Sequence, residues 1–386
     1  MENFEFQNST RIIFGEGSLE KLAEAIKPCA KNVLLAYGKG SIKKEGIYDA
    51  VMKILLEAGK NVTELEGIMP NPTAAKVREG VKLCKDNKVG LILAVGGGSV
   101  LDCCKAIAVG SVIEEDFWDF MYRDGKVAPN PLPLGAVLTM VGTGSEMNGF
   151  GVITNEEIKV KAGFFSPYVY PKFSILDPTY TYTLPKYQMV SGICDILSHL
   201  MEQYFSGTED NVSDDLNEAL MKSIVKNARI AVINPRDYTA RSNIMWGATV
   251  ALNGILGCGT TEDWEVHQLE HQIGAYYDVA HGMGLAAVSA SYFRFIYKSG
   301  LHKFKQYAVN VWGVEEKGKT DEAIALEGIA RLEAFFKEIG AATSLRDLGI
   351  ADKSKLGEIA DSCNLNKGGY KTLTHEDVRA IFEAAF

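Results

Sequence analysis

Residues 89–102 read VGLILAVGGGSVLD, and this stretch decides how the first half of the chain folds. The apolar run Val89–Val95 has the length of a buried strand, and a helix is expected from about Val100 to Val109. Between them, Gly96-Gly97-Gly98-Ser99 lets a ligand approach the backbone, and the first N–H groups of the helix attract an anion such as a pyrophosphate. The turn differs from the GxGxxG fingerprint of the usual Rossmann fold, so a glycine-rich turn without a ligand is the competing interpretation.

Strand-like and helical segments alternate on both sides of this turn. Strands are expected at Asn32–Tyr37, Asn61–Ile68 and Leu134–Val141, and helices over Ile42–Gly59 and Ala74–Lys88. Strands separated by helices of this length form βαβ units and a parallel sheet. The pattern therefore predicts an α/β, Rossmann-like dinucleotide-binding domain.

Helical patterns replace the strands after Leu184-Pro185, and strand-like alternation is nearly absent there. The expected helices are Tyr187–Phe205, Val212–Ile233, Tyr238–Leu256, Asp263–Tyr276, His281–Tyr297 and Asp321–Ile339. A chain of 386 residues is also long for a single core. We therefore predict a boundary near residue 185, with an α/β domain over residues 1–185 and an all-helical domain over residues 186–386.

The composition excludes several classes of protein. Hydrophobic residues make up 47% and charged residues 23%, which is typical of a globular chain. The net charge of 40 − 49 = −9 argues against nucleic-acid and anionic-membrane partners. No apolar stretch approaches the ~20 residues of a spanning helix, and the first residues do not resemble a signal peptide. Seven scattered cysteines without a CxxC pair favour reduced thiols in a soluble, cytoplasmic protein.

Four of the six histidines fall between residues 199 and 281. Asp195 and His199, like His267 and His271, are four residues apart in an expected helix and so share a face. His281 opens the next expected helix. A carboxylate and several imidazoles brought together by helices can hold a divalent cation. A lone histidine is usually structural, but two such pairs with a further histidine nearby favour a metal site.

A third feature is the loop of small residues Thr143-Gly144-Ser145-Glu146-Met147-Asn148, which lines a ligand cleft or is simply a polar turn. The three features in this order resemble the iron-containing (group III) alcohol dehydrogenase family, most closely its butanol dehydrogenase and broad aldehyde reductase branch. The similarity runs nearly end to end. Further stretches that carry it are Thr10–Gly15 (TRIIFG), Pro70–Pro72 (PNP), Ala94–Ser99 (AVGGGS), Leu176–Tyr182 (LDPTYTY) and Tyr276–Gly282 (YYDVAHG).

The resemblance implies a dehydroquinate synthase-like arrangement of the α/β domain, a homodimer and a specific set of site residues. It assigns the metal to Asp195, His199, His267 and His281, with iron(II) favoured and zinc(II) possible. It places His271 beside the nicotinamide and not among the ligands. The cofactor contacts that it implies are Gly97, Gly98, Ser99, Asp102, Thr139, Asn148, Lys161 and Tyr180, although a surface lysine is the default interpretation of Lys161.

Cofactor choice depends on the end of the expected strand Asn32–Tyr37. Relatives that prefer NAD tend to have an aspartate just after it, which binds the ribose 2′-hydroxyl and repels a 2′-phosphate. This chain has Gly38, Lys39 and Ser41 there instead. Because a lysine and a hydroxyl can bind a phosphate, the sequence predicts that NADP(H) is preferred over NAD(H).

The resulting hypothesis is a metal-dependent, NAD(P)H-linked alcohol dehydrogenase or aldehyde reductase that interconverts short-chain aldehydes and primary alcohols in a cleft between two domains. The metal is expected to act as a Lewis acid towards the substrate oxygen, with His271 as the proton relay. Two alternatives remain at this stage. One is a glycerol dehydrogenase- or dehydroquinate synthase-like enzyme, which shares the architecture but differs in its ligand pattern. The other is a non-catalytic metal- or nucleotide-binding protein.

Overall fold

The computed structural model describes residues 1–207 and 210–386. The chain divides into two compact units. Residues 7–183 form one of them, here called the α/β unit. Residues 1–6 and 184–386 form the other, here called the helical unit.

Parallel strands form the central sheet of the α/β unit, as the sequence predicts. The strands of the unit are β1 (Arg11–Phe14), β2 (Asn32–Tyr37), β3 (Asn61–Leu65), β4 (Leu91–Gly96), β5 (Leu134–Leu138), β6 (Phe150–Asn155), β7 (Val160–Phe165) and β8 (Phe173–Leu176). The sheet has the order β1-β8-β5-β4-β2-β3, and every pair of neighbours in it is parallel. Strands β6 and β7 form a separate antiparallel hairpin.

Helices connect these strands and cover the sheet. They are α1 (Leu22–Ile26), α2 (Ser41–Lys44), α3 (Ile47–Glu57), α4 (Ala74–Asp86) and α5 (Gly98–Gly110). Short 3₁₀ turns lie at Ser18–Lys21, Ser145–Met147 and Pro178–Thr181, and a π-helical turn lies at Asp119–Arg123. The single helix expected over 42–59 is two helices, because Gly46 between them adopts a left-handed backbone with φ of 73°.

One face of the sheet packs on α1 and α3. Alternate residues Val33, Leu35 and Tyr37 of β2 point to this side and are fully buried together with Val51 of α3 and Leu22 of α1. Helix α5 packs against β4, β5 and β2 and is itself buried at almost every position. Burial of this kind explains why β2 and β4 are continuous apolar runs instead of alternating ones.

The helical unit contains helices and no strand within its described residues, as predicted. The helices are α6 (Lys186–Tyr204), α7 (Val212–Ile233), α8 (Tyr238–Ala251), α9 (Glu265–Tyr277), α10 (His281–Ile296), α11 (Leu301–Asn310), α12 (Asp321–Ile339), α13 (Leu356–Ser362) and α14 (His375–Ala385), with a 3₁₀ turn at Arg346–Leu348. Helix α8 ends five residues before the expected Leu256. Within the described part of the chain, no helix combines the length and apolar character needed to cross a bilayer.

Helix α6 is the centre of the helical unit, since every residue from Met189 to Tyr204 is buried. The backbone of α10 packs directly against the backbone of α6. A Cβ atom on Gly282 would lie 1.8 Å from the Ser191 carbonyl oxygen, and one on Gly284 would lie 2.7 Å from Glu270 Cγ. Only glycine fits at such a contact. The two glycines therefore fix where α10 begins relative to α6 and α9.

Candidate active site

Three helices of the helical unit bring the predicted metal ligands together. Asp195 and His199 lie one turn apart on α6, His267 lies in the first turn of α9, and His281 is the first residue of α10. The Nε2 atoms of His199, His267 and His281 lie 3.3, 3.8 and 3.6 Å from Asp195 Oδ1. These distances from Asp195 are close to the separation of about 3.4 Å between two ligands of a tetrahedral ion with bonds of about 2.1 Å. Among these four residues, the ligand atoms that lie within 4.8 Å of one another are those of Asp195, His267 and His281, and His199 is outside this group.

The donor set fits a divalent cation. Asp195 Oδ1 and His267 Nε2 are buried, and neither makes a hydrogen bond to any described residue. Buried polar atoms without partners cost free energy, and a cation among them would satisfy both. One carboxylate with three imidazoles suits iron(II), zinc(II) and related ions.

Two buried glutamates orient two of the histidine rings. His267 Nδ1 lies 2.5 Å from Glu202 Oε1, and His281 Nδ1 is hydrogen-bonded to Glu270 Oε2. Both carboxylates are completely buried. Each contact favours a proton on Nδ1, so that the Nε2 lone pair of the ring is free for a metal.

Sequence reasoning missed these glutamates, although their spacing offers a signal. Glu202 lies seven residues after Asp195 on α6, and Glu270 lies three residues after His267 on α9. These spacings place each glutamate on the same helix face as a predicted ligand. Ser198 Oγ donates to Glu202 Oε1 at 2.5 Å, and the His267 N–H donates to Glu202 Oε2 at 3.1 Å, so this carboxylate is held on both oxygens.

The electrostatics of the cluster favour the ligating forms of two residues. Burial lowers the pKa of His199 to about 4, although Asp195 opposes the shift. Burial raises the pKa of the Asp195 carboxyl, but His199, His267 and His281 outweigh it and hold that pKa below its usual range. A neutral imidazole and an ionised carboxylate are the forms that bind a metal.

His271 lies beside the cluster, one turn after His267 on α9. Its ring stacks on that of His281 with 5.7 Å between the ring centres. One potential ligand atom from each of His271, Glu270 and His281 lies within 4.8 Å of the other two. Potential ligand atoms of Asp195, His267 and His281 form a second group of this kind. His271 therefore lies next to the predicted ligands, but it does not share a group of potential ligand atoms with Asp195.

The Trp264 ring packs against two of the histidine rings. It precedes α9 with a left-handed backbone of φ 59°, which is unusual for a bulky residue. Its ring meets His199 and His267 edge-on, with 6.0 and 5.3 Å between ring centres. The strained conformation places an apolar surface beside two predicted ligands, a common feature of functional sites.

The predicted dinucleotide residues lie mostly at the carboxyl edge of the parallel sheet. The chain passes from β2 outward to β3, returns to β4, and then continues to β5 on the other side, so the strand order reverses between β2 and β4. Gly38, Lys39 and Ser41 follow β2, and Gly97-Gly98-Ser99 follow β4 beside them. Ligands of open α/β sheets bind at such a reversal.

Two more predicted contacts lie at the same edge. Thr139 follows β5 and donates its backbone N–H to the Gly96 carbonyl at 3.0 Å. Tyr180 lies in the 3₁₀ turn after β8. The carboxyl ends of four strands thus carry eight of the predicted cofactor residues.

The glycines after β4 are needed for packing as well as for ligand access. A Cβ atom on Gly97 would lie 2.9 Å from Met140 Cβ, and one on Gly98 would lie 2.4 Å from Thr143 Oγ1. Gly97 is also the N-cap of α5 and has no side chain to cap it. The first N–H groups of α5 can therefore bind an anion.

The remaining predicted cofactor residues, Asp102, Asn148 and Lys161, are buried within the α/β unit. Asp102 accepts hydrogen bonds from Ser145 Oγ at 2.7 Å and from the Val152 N–H at 3.0 Å. Asp102 therefore ties α5 to the loop and hairpin that follow β5. Lys161 lies on β7.

Lys105 is the centre of this buried network and was not predicted. Its fully buried ammonium donates to Ser145 Oγ at 2.8 Å, Asn148 Oδ1 at 2.9 Å and the Phe150 carbonyl at 2.7 Å. Burial lowers the pKa of Lys105 to about 8, against the opposing effects of Asp102 and Glu146. A lysine within the apolar stretch Val100–Val109, three residues after Asp102, was the available signal.

A parallel sheet with a glycine-rich turn suits a dinucleotide, and a cluster of one aspartate and three histidines suits a divalent cation. This combination is typical of metal-dependent, nicotinamide-linked oxidoreductases. The profile described as iron-containing alcohol dehydrogenase matches residues 9–178, and the C-terminal profile of the Fe-containing alcohol dehydrogenase family matches residues 189–386. The chain belongs to the iron-containing alcohol dehydrogenase family. The predicted family and enzyme class, an NAD(P)-dependent alcohol dehydrogenase, are both confirmed.

Similar proteins cover the chain from end to end. It is 45% identical to the probable NADH-dependent butanol dehydrogenase 1 of Bacillus subtilis and 38% identical to the NADPH-dependent aldehyde reductase YqhD of Escherichia coli, with 100% of each protein aligned in both cases. The crystal structure of an NADH-dependent butanol dehydrogenase A from Thermotoga maritima has a TM-score of 0.95 and 41% identity, over 100% of this chain and 99% of that one.

Proposed function

We propose that this enzyme interconverts short-chain aldehydes and primary alcohols, as the names of its butanol dehydrogenase and aldehyde reductase relatives indicate. The observation that carries the metal-dependent chemistry is the convergence of three imidazole Nε2 atoms within 3.3–3.8 Å of Asp195 Oδ1. Buried charged and polar groups are often no more stabilising than apolar residues of the same size, so a cluster with unsatisfied ligand atoms favours a role in binding an ion.

The cation is held by Asp195, His199, His267 and His281 in this proposal. Iron(II) is favoured by the family, and zinc(II) is compatible with the same ligands. When bound, the cation supplies Lewis acidity towards the substrate oxygen, and the nicotinamide supplies or accepts the hydride. Glu202 and Glu270 keep the ligand rings oriented throughout.

The α/β unit binds the cofactor in this proposal. The N-terminus of α5, with Gly97, Gly98 and Ser99, holds the pyrophosphate, and the turn from Gly38 to Ser41 receives the adenosine ribose. The other proposed cofactor contacts are Asp102, Thr139, Asn148, Lys161 and Tyr180. Asp102 and Asn148 also hold the loop after β5 in place through their hydrogen bonds.

His271 carries the proton that the reaction exchanges with solvent. Its imidazole stacks on the ring of His281, with 5.7 Å between the ring centres, and imidazoles commonly act as general acids and bases. Replacing His271 with alanine should lower turnover while metal content stays constant. Loss of the metal in that variant would instead make His271 a ligand.

NADP(H) is the proposed preferred cofactor. Lys39 and Ser41 are exposed at the reversal point of the sheet, and the stretch from Gly38 to Ser41 contains no carboxylate. Relatives include proteins named for NADH and for NADPH, so cofactor choice must come from this chain's own residues. A value of kcat/KM for NADH several-fold above that for NADPH would contradict the preference.

Three properties complete the proposal. The enzyme works in the cytoplasm with reduced cysteines, and it forms a homodimer. The boundary between its cofactor-binding domain, residues 1–185, and its metal-binding domain, residues 186–386, falls near residue 185 of the sequence. Light scattering during size-exclusion chromatography tests the dimer. Limited proteolysis with mapping of the cleavage sites tests the boundary.

The decisive experiment combines metal analysis of the purified protein with an activity screen. Butyraldehyde and a panel of short aldehydes are incubated with NADPH, and 1-butanol with NADP⁺, while absorbance of the reduced cofactor is followed. We expect one divalent cation per chain and turnover that chelation removes and iron(II) or zinc(II) restores. Tight metal binding without turnover of any aldehyde would overturn the substrate proposal.

A further inference from the structure

Two tyrosines, a lysine and two glutamates form a polar cluster at the ends of β2 and β3. Glu64 accepts hydrogen bonds from the hydroxyls of Tyr37 at 2.6 Å and Tyr48 at 3.0 Å. Lys43 Nζ lies 3.0 Å from Glu66 Oε2 and sits over the rings of Tyr37 and Tyr48 at 5.0 and 5.1 Å. Glu64 is thus hydrogen-bonded by two neutral hydroxyls, whereas Glu66 is paired with the Lys43 ammonium and also accepts a longer hydrogen bond from the Tyr37 hydroxyl at 3.3 Å.

The cluster lies against the turn that follows β2. The Gly67 N–H donates to the Gly38 carbonyl at 3.2 Å, and the Ile68 N–H donates to the Tyr37 carbonyl at 3.2 Å. These two bonds hold the segment carrying Glu66 directly beside Gly38. Lys43 lies on α2, whose N-cap is Gly40 of the same turn.

The charged groups of Glu66 and Lys43 are exposed to solvent. The Glu66 side chain is 69% exposed and that of Lys43 is 43% exposed, so neither is committed to the interior. An exposed carboxylate beside a phosphate site repels the phosphate, and an exposed ammonium attracts it. The pair therefore presents opposing charges next to the proposed position of the adenosine ribose.

We propose that Glu66 and Lys43 set the degree of discrimination between NADP(H) and NAD(H). Glu66 disfavours a 2′-phosphate, and Lys43 offsets it by pairing with the carboxylate and by offering a cation to the phosphate. This inference rests on the proposed binding of the ribose at the turn from Gly38 to Ser41. The residues that determine cofactor specificity would then include Glu66, just after β3, and Lys43 on α2, in addition to the turn from Gly38 to Ser41.

The size of the effect follows from Coulomb's law in water. A unit charge about 5–8 Å from a phosphate of charge about −1.5 to −2 changes the affinity for that phosphate by roughly three- to tenfold at a low ionic strength of about 20 mM. NADH lacks the phosphate and is nearly unaffected. The ratio of kcat/KM for NADPH to kcat/KM for NADH therefore isolates the interaction from any general loss of activity.

The test is a double-mutant cycle in the full-length, metal-loaded enzyme, with an aldehyde that the enzyme reduces. Glu66→Gln should raise the NADPH/NADH ratio about three- to tenfold, and Lys43→Met should lower it by a similar factor. The double variant restores the local net charge and should lie within about twofold of the original ratio. All shifts should shrink when ionic strength rises from about 20 mM to about 500 mM.

A matched control pair is available on α3. Lys53 and Glu57 are an exposed ion pair of the same unit, 3.9 Å apart. Lys53→Met and Glu57→Gln should leave the ratio unchanged. Measurable turnover with an unchanged ratio in Glu66→Gln and Lys43→Met would overturn this inference alone. Absence of turnover with either cofactor in the unmodified enzyme would instead overturn the proposed function.

Discussion

The predicted metal cluster of the helical unit and the Lys105 network of the α/β unit are both buried and polar. They differ in whether all of their polar atoms have hydrogen-bond partners. The three ammonium protons of Lys105 meet three acceptors at 2.7–2.9 Å. In contrast, Asp195 Oδ1 and His267 Nε2 have no hydrogen-bond partner among the described residues. A complete network stabilises the fold by itself, whereas an incomplete one indicates that an additional charged group belongs there.

The largest expected effect comes from removing the central carboxylate of the incomplete cluster. Asp195→Asn keeps the shape of the side chain and removes its charge. We expect metal content to fall close to zero and kcat to fall by roughly 10³-fold or more, because the Lewis acid is lost. Elemental analysis and steady-state kinetics measure both, with circular dichroism as the control for folding. A fully metallated Asp195→Asn variant would contradict the ligand assignment.

Breaking the complete network should act on stability instead of metal binding. Lys105→Met leaves three buried acceptors without their donor, which should lower the free energy of unfolding by about 3 kcal/mol. Urea denaturation measures the loss. Metal content per folded molecule should stay unchanged, since the network lies in the α/β unit. If Lys105→Met lost its metal but kept its stability, the Lys105 network would serve metal binding and not the stability of the fold.

The contact between α10 and α6 offers a way to disturb the metal cluster without touching a ligand. Gly282→Ala would place a Cβ atom 1.8 Å from the Ser191 carbonyl oxygen and must move the start of α10, which carries His281. We expect about 2 kcal/mol of destabilisation together with weaker metal binding. Gly357→Ala on α13 is the matched control, because the nearest atom to its added Cβ is 3.9 Å away. This control should be neutral or slightly stabilising.

The glutamates behind the histidine rings should tune the cluster without abolishing it. Glu202→Gln and Glu270→Gln retain the side-chain shape but weaken the contact to Nδ1. Metal affinity should fall about 10- to 100-fold in each, as is usual for residues that orient metal ligands. Competition with a chelator of known affinity measures this loss. An unchanged dissociation constant would show that the ring orientations do not depend on these carboxylates.

A smaller, pH-dependent effect should distinguish Lys105 from ordinary lysines. Burial holds the pKa of Lys105 at about 8 in the folded protein, below the usual lysine value of 10.5. Between these two values the unfolded chain binds more protons, so the free energy of unfolding should rise with pH. Relative to Lys105→Met, the gain should reach about 1 kcal/mol by pH 9. Urea denaturation of both proteins at pH 7, 8 and 9 would reveal it, and a flat difference would contradict the shifted pKa.

Long, strongly patterned elements could be predicted from the sequence. The apolar run of β2 and the periodic pattern of α12 have the bounds that the sequence indicated. Strand β1 was missed because its four residues are partly exposed and carry no clear alternation. The break between α2 and α3 was missed because a glycine within a helical pattern does not reveal whether its backbone turns left-handed, as that of Gly46 does.

Sequence spacing also explains which parts of the candidate site could be found. Asp195 and His199 stand out because they occupy one helix face. The contact of Glu270 with His281 joins two helices across the α9–α10 turn, and that of Lys105 with Asn148 joins residues 43 apart. Such contacts depend on tertiary packing, which no local pattern encodes. The same holds for Glu66, whose position beside Gly38 follows from the pairing of neighbouring strands.

The approach of α10 to α6 at Gly282 has a consequence for how the proposed site would acquire its ion. Main-chain atoms in contact set the separation of these helices, so little rotational freedom remains to be lost when the ligands close around a cation. Preorganisation of this kind lets nearly all of the coordination energy appear as affinity. Residues outside this contact can then vary during evolution, and the range of substrates with them, while the spacing of the proposed ligands stays constant.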